Sequence, residues 1–214
     1  MYPVSKNSIR VLIVALLLLT SVFTSNFSVI TAQAKPKMDA QVFHDAMRKL
    51  WEDHITWTRL VIVSTFNSLP DLDTTTQRLL QNQEDIGDAI KPFYGDAAGE
   101  QLSTLLREHI LIAAEILQAA KNGQPLDDAI ARWYANADDI AEFLNSANPE
   151  NWPFEEMRAM MREHLDLTLQ EAVTYLNGDY AGSITAYDEV HIQALDMADM
   201  LSDGIIRQFP KEFK

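Results

Sequence analysis

Three histidines recur along this chain at a constant interval of 55 residues: His54, His109 and His164. The sequence around them recurs as well, because LREHILIAAEILQAAKNG at 106–123 is matched by MREHLDLTLQEAVTYLNG at 161–178. A repeat that carries the same polar residues into each copy constrains the fold strongly. It predicts similar structural units that share one internal cluster of polar side chains.

The region after residue 35 has the apolar periodicity of helices. Apolar residues recur at steps of three and four, and no stretch alternates with a period of two. Gly and Pro cluster where these segments break, as in SLPD at 68–71 and NGQP at 122–125. Six helices are predicted, at roughly 38–68, 72–91, 97–121, 125–145, 153–177 and 182–208.

Every connection between these helices is short, so successive helices should lie antiparallel. The predicted fold class is all-α: an up-down antiparallel helical bundle of about six helices, arranged as three pseudo-repeated hairpins. A core of the four longer helices, flanked by the two shorter ones, is the alternative architecture.

The amino-terminal residues have the features of an export signal. A positively charged start precedes an almost wholly apolar run at 11–23, and TAQA at 31–34 ends in an A-x-A cleavage pattern. We expect a signal peptide at 1–34 and a single domain at 35–214. An uncleaved membrane anchor is the alternative, although the apolar run is short for a span. The protein is expected to be secreted or to lie in the cell envelope, outside the cytoplasmic membrane.

Charge and cysteine content exclude several classes of function. All 31 acidic residues follow residue 34, against 15 of the 17 basic residues, so the domain carries a net charge of about −16. Such a charge disfavours nucleic acid and anionic membranes as partners and favours attraction of cations. The chain has no Cys, which excludes disulfides, thiolate metal sites and Cys nucleophiles. Its oligomeric state is left open.

Hairpin geometry predicts which side chains meet the histidines. Residues equidistant from a short turn lie at the same height in a helical hairpin. On this basis His54 should face Asp85, and His109 should face Asp138 or Asp139. A carboxylate in that position would orient the imidazole ring.

The links between hairpins predict two further members of the same layer. They place His109 beside Asn82 and His164 beside Asn136. A fourth histidine, His191, lies on an apolar stripe of the last helix and is expected to join the layer.

Predicted helices two and four share the motif R-x-x-x-N-x-x-D-I. It begins at Arg78 in one copy and at Arg132 in the other. Its spacing places Arg, Asn and Asp on one face of each helix. Each Arg is therefore placed to neutralise the Asp of its own motif.

Two functions are compatible with this polar layer. The first is a site for a transition metal or a small ligand, in which imidazole suits Zn, Cu or Fe. The candidate ligands are His54, His109, His164 and His191, and the candidate supporting residues are Asp85, Asp139, Asn82, Asn136, Arg78 and Arg132. The second is a structural or interaction module of the cell envelope whose polar layer only fixes helix register.

An enzyme is the less favoured reading. The chain has no H-E-x-x-H or G-x-S-x-G motif and no glycine-rich phosphate loop. A His–Asp general base is the remaining catalytic possibility, and nothing in the sequence assigns it a reaction.

Several longer segments resemble a widespread bacterial family of small exported helical proteins. They include LWEDHITWTR, RLLQNQEDIGDAIKPFYG, ANPENWP and YDEVHIQALDMADMLSDGIIRQFP, and the resemblance extends over 47–213. Members of that family sometimes carry the names glycosyltransferase or acetylglutamate kinase. Both names require an α/β nucleotide-binding architecture, which an all-helical chain lacks. The resemblance implies a single helical domain and no particular reaction.

Overall fold

The computed structural model describes residues 37–214, which fold into a bundle of six helices. The helices are α1 (Ala40–Asn67), α2 (Leu72–Tyr94), α3 (Asp96–Lys121), α4 (Asp127–Ala147), α5 (Phe154–Leu176) and α6 (Tyr180–Gln208). No strand is present in this part of the chain. The prediction of an all-α helical bundle is therefore confirmed. The expected signal peptide at 1–34 lies outside the described residues.

Local sequence sets the helix ends. Asp39 caps α1 by accepting hydrogen bonds from the backbone amides of Gln41 and Val42, at 3.1 and 3.3 Å. Helix α2 continues through Pro92, where the sequence predicted a break. Proline lacks an amide hydrogen, and in the last turn of a helix this loss removes little more than one hydrogen bond.

The six helices form a closed ring. Each helix packs against the next one in the chain, and α6 packs against α1. Helix α1 also contacts α3 and α5, so the odd-numbered helices meet inside the bundle. This arrangement differs from the alternative four-helix core, because all six helices share the interior.

One close helix crossing depends on glycine. A Cβ atom on Gly87 of α2 would lie 2.5 Å from the carbonyl oxygen of Gly99 in α3, and a Cβ on Gly99 would lie 2.6 Å from the carbonyl oxygen of Gly87. Both distances are shorter than real Cβ contacts, so the two backbones touch with no room for a side chain. The one-residue link at Gly95, whose φ is 85°, holds α2 and α3 close enough for this crossing.

Aromatic rings and the two described termini close one end of the bundle. Phe43 of α1 lies 5.2 Å from Phe93 and 5.3 Å from Phe213 between ring centroids. The backbone of Met38 pairs with the carboxyl-terminal segment, donating to Glu212 at 2.8 Å. None of the helices within 37–214 is long and apolar enough to cross a membrane.

We expect Gly87→Ala to destabilise the protein by about 1–3 kcal/mol, because the added methyl group overpacks the α2–α3 crossing. An alanine with room for its methyl group would instead stabilise a helix. The free energy of unfolding, measured by urea denaturation, checks the sign.

A double variant identifies the clashing group. The hydroxyl oxygen of Ser103 would lie 2.0 Å from the new Cβ, and Ser103→Ala removes it. We expect Gly87→Ala with Ser103→Ala to remain destabilised, because the carbonyl of Gly99 cannot move away. Full recovery of stability would contradict a backbone clash.

Candidate functional site

Three of the four predicted histidines meet inside the bundle. His54 of α1, His109 of α3 and His164 of α5 are each about 3% exposed. The ring centroid of His164 lies 5.7 Å from that of His54 and 6.3 Å from that of His109. We call these three rings the histidine layer. His164 is its middle member, since it neighbours both of the others.

Two of the rings are each hydrogen-bonded to a side-chain amide on the next helix of the chain. Nδ1 of His109 lies 3.0 Å from Oδ1 of Asn136 in α4, and Nδ1 of His164 lies 3.1 Å from Oε1 of Gln193 in α6. An amide oxygen only accepts hydrogen bonds. Each Nδ1 therefore carries the hydrogen and donates it, which leaves Nε2 with a free lone pair in the neutral ring.

The same amides also bind the backbone of the histidine's own helix. Asn136 donates to the carbonyl of Leu105 at 3.1 Å, and Gln193 donates to the carbonyl of Met160 at 3.0 Å. In α2, Asn82 donates to the carbonyl of Leu50 at 3.0 Å. Each of these carbonyls lies four residues before a layer histidine, so one contact geometry occurs three times.

The first hairpin departs from the other two. Nε2 of Gln83 lies 3.2 Å from Nδ1 of His54, and it also donates to the carbonyl of Leu79 at 2.8 Å and to Oδ1 of Asn82 at 3.1 Å. Oε1 of Gln83 is buried and has no partner among the described residues. A buried acceptor without a partner is costly, so this copy of the contact is the least satisfied.

The environment keeps the histidine layer uncharged. Burial lowers the pKa of His109 to about 3, reinforced by the nearby His164, while its bond to Asn136 opposes the shift. Burial lowers the pKa of His164 to about 4, against the effect of Gln193. The pKa of His54 is held well below its usual value by burial and by the two neighbouring histidines. All three rings are neutral at pH 7.

Mostly apolar side chains surround the layer. The ring of Trp133 lies 5.1 Å from that of His109, and Trp133 donates to the carbonyl of His109 at 3.1 Å. A cavity of about 20 Å³ lies on the side of the layer towards the amino-terminal ends of α1, α3 and α5. Its lining includes Trp51, Leu106 and Met161, each three residues before a layer histidine. A second cavity, of about 30 Å³, lies on the opposite side, and its lining includes Thr58, Ala113 and Thr168.

The predicted aspartates do not reach the histidines. Asp85 is partly exposed and lies 3.8 Å from Arg78, while Asp139 lines an outer groove between α3 and α4. The predicted pairs Asp85–His54 and Asp139–His109 are therefore wrong. The positions beside the rings are taken by Gln83 and Asn136, two and three residues earlier in the same helices. Both carboxylates lie on the outer side of their helix.

The predicted amides belong to the layer but serve other histidines. Asn82 was expected beside His109, and it instead contacts α1 beside His54. Asn136 was expected beside His164, and it instead binds His109. Each amide acts within its own hairpin, because the two helices of a hairpin present facing sides at that height.

His191 lies outside the layer, contrary to the prediction. Its side chain is 29% exposed, its Nε2 lies 3.8 Å from Glu52, and its ring stacks on Tyr187 at 5.9 Å. The interior face of α6 at this height is formed by Val190 and Gln193. His191 is one position away from that face, which turns it by about 100°.

The two predicted arginines lie on the surface of the bundle. The guanidinium of Arg78 lies 5.3 Å from the ring of Trp57. Arg132 forms an exposed ion pair with Glu115 at 2.5 Å. Arg78 does lie near Asp85, as the motif predicts, but both are away from the imidazoles.

A buried ion pair was missed by the sequence analysis. Glu171 of α5 is 1% exposed and accepts a hydrogen bond from Arg59 of α1 at 2.9 Å. Burial raises the pKa of Glu171 to about 6, although Arg59 opposes that shift. The spacing of Glu171 from Thr168 and His164, three and seven residues on, was the available signal that it faces the interior.

No group of three or more His, Asp or Glu side chains within 37–214 is already arranged to hold a metal ion. Comparisons with models of protein families, with curated proteins and with solved structures gave no match. Function is therefore inferred from the geometry of this chain.

We expect the free energy of unfolding to fall as the pH drops from about 6.5 towards 4. In that range the histidines of the unfolded chain bind protons that the buried rings do not. Each buried ring therefore lowers the free energy of unfolding by up to about 1.4 kcal/mol for each unit that the pH falls. Glu171 acts in the opposite direction between about 4.5 and 6, because its raised pKa favours the protonated folded state. Urea denaturation at several pH values measures the net slope.

A matched pair of variants tests whether the buried histidines cause this dependence of stability on pH. His109→Gln removes one buried titrating ring and should make the dependence on pH shallower. His191→Gln removes a histidine outside the layer and serves as the control. Equal slopes in these two variants would contradict the assignment.

Proposed function

We propose that this chain is an exported, acidic helical-bundle protein that binds a transition-metal ion inside the bundle, through Nε2 of His54, His109 and His164. One observation carries the proposal: three buried imidazoles from three helices lie together, with centroids 5.7 and 6.3 Å apart. Among the hydrogen bonds of the described residues, these rings take part only through Nδ1. In His109 and His164 the lone pair of Nε2 is free. Nδ1 of His54 instead accepts from Gln83, so the hydrogen of this ring lies on Nε2 and must move to Nδ1 before Nε2 binds a metal ion.

The chemistry of the layer suits such an ion. Metal binding requires neutral imidazole, and burial lowers the pKa of all three rings. A ligating histidine usually donates its other ring N–H to an oxygen acceptor, as His109 and His164 do. Imidazole ligands suit Zn, Cu or Fe, and the strongly negative charge of the chain attracts cations.

Binding requires a change in the rings, since no ligand set is already arranged. Turning each side chain would bring the Nε2 atoms towards a common centre. The small cavities on either side of the layer, of about 20 and 30 Å³, provide room for such a shift. The six-helix framework itself need not move.

Metal analysis of the untagged protein, purified without chelator, tests the proposal. We expect about one Zn, Cu or Fe ion per chain, and we expect it to be lost in a His54→Ala, His109→Ala double variant because two of three ligands are removed. His191→Ala is the matched control and should keep the metal.

Thermal denaturation provides the second measurement. A ligand that binds only the folded state raises the melting temperature, and the rise grows with the ratio of the free ligand concentration to its Kd. A metal-free protein whose melting temperature does not rise with added Zn²⁺, Cu²⁺ or Fe²⁺ would refute metal binding.

A structural or interaction module of the cell envelope is the second candidate. The observation that favours it is the completeness of the contacts made by Asn136 and Gln193, which bind both a ring and a backbone carbonyl without any ligand. In this case the layer fixes helix register. Neither candidate function requires that the layer bind a small ligand, that the protein be an enzyme, or that it belong to the exported helical family.

We expect the exported protein to begin at Lys35, because the A-x-A pattern at 32–34 is the signal for cleavage after Ala34. Intact-mass measurement of protein recovered from outside the cytoplasmic membrane checks this. A mass that includes the first 34 residues would instead support a retained membrane anchor.

A further inference from the structure

A solvent groove lies beside the histidine layer in the third hairpin. It lies between α5 and α6, has a volume of about 520 Å³, and includes Met160, Leu167 and Gln193 in its lining. Gln193 is about 8% exposed. This side chain therefore forms part of the groove surface while most of it is buried.

One side chain, that of Gln193, both lines this groove and contacts the layer. Oε1 of Gln193 accepts from Nδ1 of His164 at 3.1 Å, and its Nε2 donates to the carbonyl of Met160 at 3.0 Å. His164 is the ring that neighbours both His54 and His109. Movement of Gln193 would expose the middle member of the layer to solvent.

The equivalent side chains of the other hairpins lack this position. A groove of about 630 Å³ lies beside α3 and α4, but its lining includes Leu105, Asp139 and Glu142 and does not include Asn136. In the first hairpin, Asn82 and Gln83 are fully buried. Among the amide side chains that contact the layer in the described residues, Gln193 of the third hairpin is therefore the one that lines a groove.

The groove is also negatively charged. Glu163, Glu189 and Asp196 line it, and all three are exposed. A cleft lined by one sign of charge raises the local concentration of the opposite ion and its rate of association. Cations would therefore accumulate next to Gln193.

We propose that the groove between α5 and α6 is the path by which the metal ion reaches the histidine layer, and that Gln193 is its gate. This inference rests on the proposed function. Rotation of Gln193 breaks its two hydrogen bonds and frees the ring of His164 to turn, so that its Nε2 faces the groove and takes the ion first. The ion then passes between His164 and its two neighbours, and Gln193 returns to restore the contact with Nδ1.

The rate of Co²⁺ uptake by the metal-free full-length protein tests the gate, followed by the visible absorption of bound Co²⁺. Gln193→Ala should accelerate uptake several-fold, because it opens the groove onto His164. Gln101→Ala is the matched control, since it removes an exposed amide side chain from the groove beside α3 and α4 without touching a layer histidine or its partner. It should leave the rate unchanged.

A second comparison does not depend on Gln193 and decides the matter if Gln193→Ala fails to fold. Removing the groove charges by Glu163→Gln, Glu189→Gln and Asp196→Asn should slow Co²⁺ uptake about tenfold at low ionic strength, without changing the amount bound. The control removes three exposed charges of α3 and α4, two of which line the other groove: Glu108→Gln, Asp139→Asn and Glu142→Gln.

The outcomes separate the route from the function. Equal uptake rates in a variant and its matched control, for either comparison, would overturn the route while leaving metal binding intact. A protein that binds no Co²⁺ at all would overturn both. Faster uptake with Gln193→Ala alone, together with slower uptake in the triple variant of this groove alone, supports the gate.

Discussion

The hydrogen bond between a buried imidazole and a side-chain amide on the next helix is the contact on which the interior of this bundle depends. Apolar side chains tolerate small rotations and shifts of one helix against another. A ring nitrogen and an amide oxygen do not, because a misaligned pair would leave both groups buried without partners. Asn136 and Gln193 strengthen this constraint, since each also binds the backbone of the helix that carries its histidine. Helix rotation and register are thereby set together.

Much of this architecture could be predicted from the sequence. The periodicity of apolar residues located all six helices to within a few residues, because helix ends coincide with glycine, proline and capping residues such as Asp39. The interval of 55 residues predicted that His54, His109 and His164 would share one layer. That prediction succeeded because equal spacing places equivalent residues at equal heights when the connections are short.

The partners of the histidines were harder to predict, because height along a helix does not determine direction around it. Asp85 and Asp139 face outwards, and the buried positions beside the rings are taken by the amides of Gln83 and Asn136 instead. An amide is cheaper to bury than a carboxylate and can bind a neutral ring and a carbonyl at once. Glu171 is the exception, and it requires Arg59 beside it. Such a pairing joins residues 112 positions apart, which spacing within one helix cannot reveal.

The contact between the first and last helices has a consequence for the order of folding. Helix α1 packs against α6, and Met38 pairs with Phe213 at the far end of the sequence. A polypeptide that emerges amino end first leaves one side of its leading helix uncovered until the final helix appears, and contacts between such distant residues form slowly. Closure of the ring between α1 and α6 is therefore the packing step that joins the helices farthest apart in the described sequence.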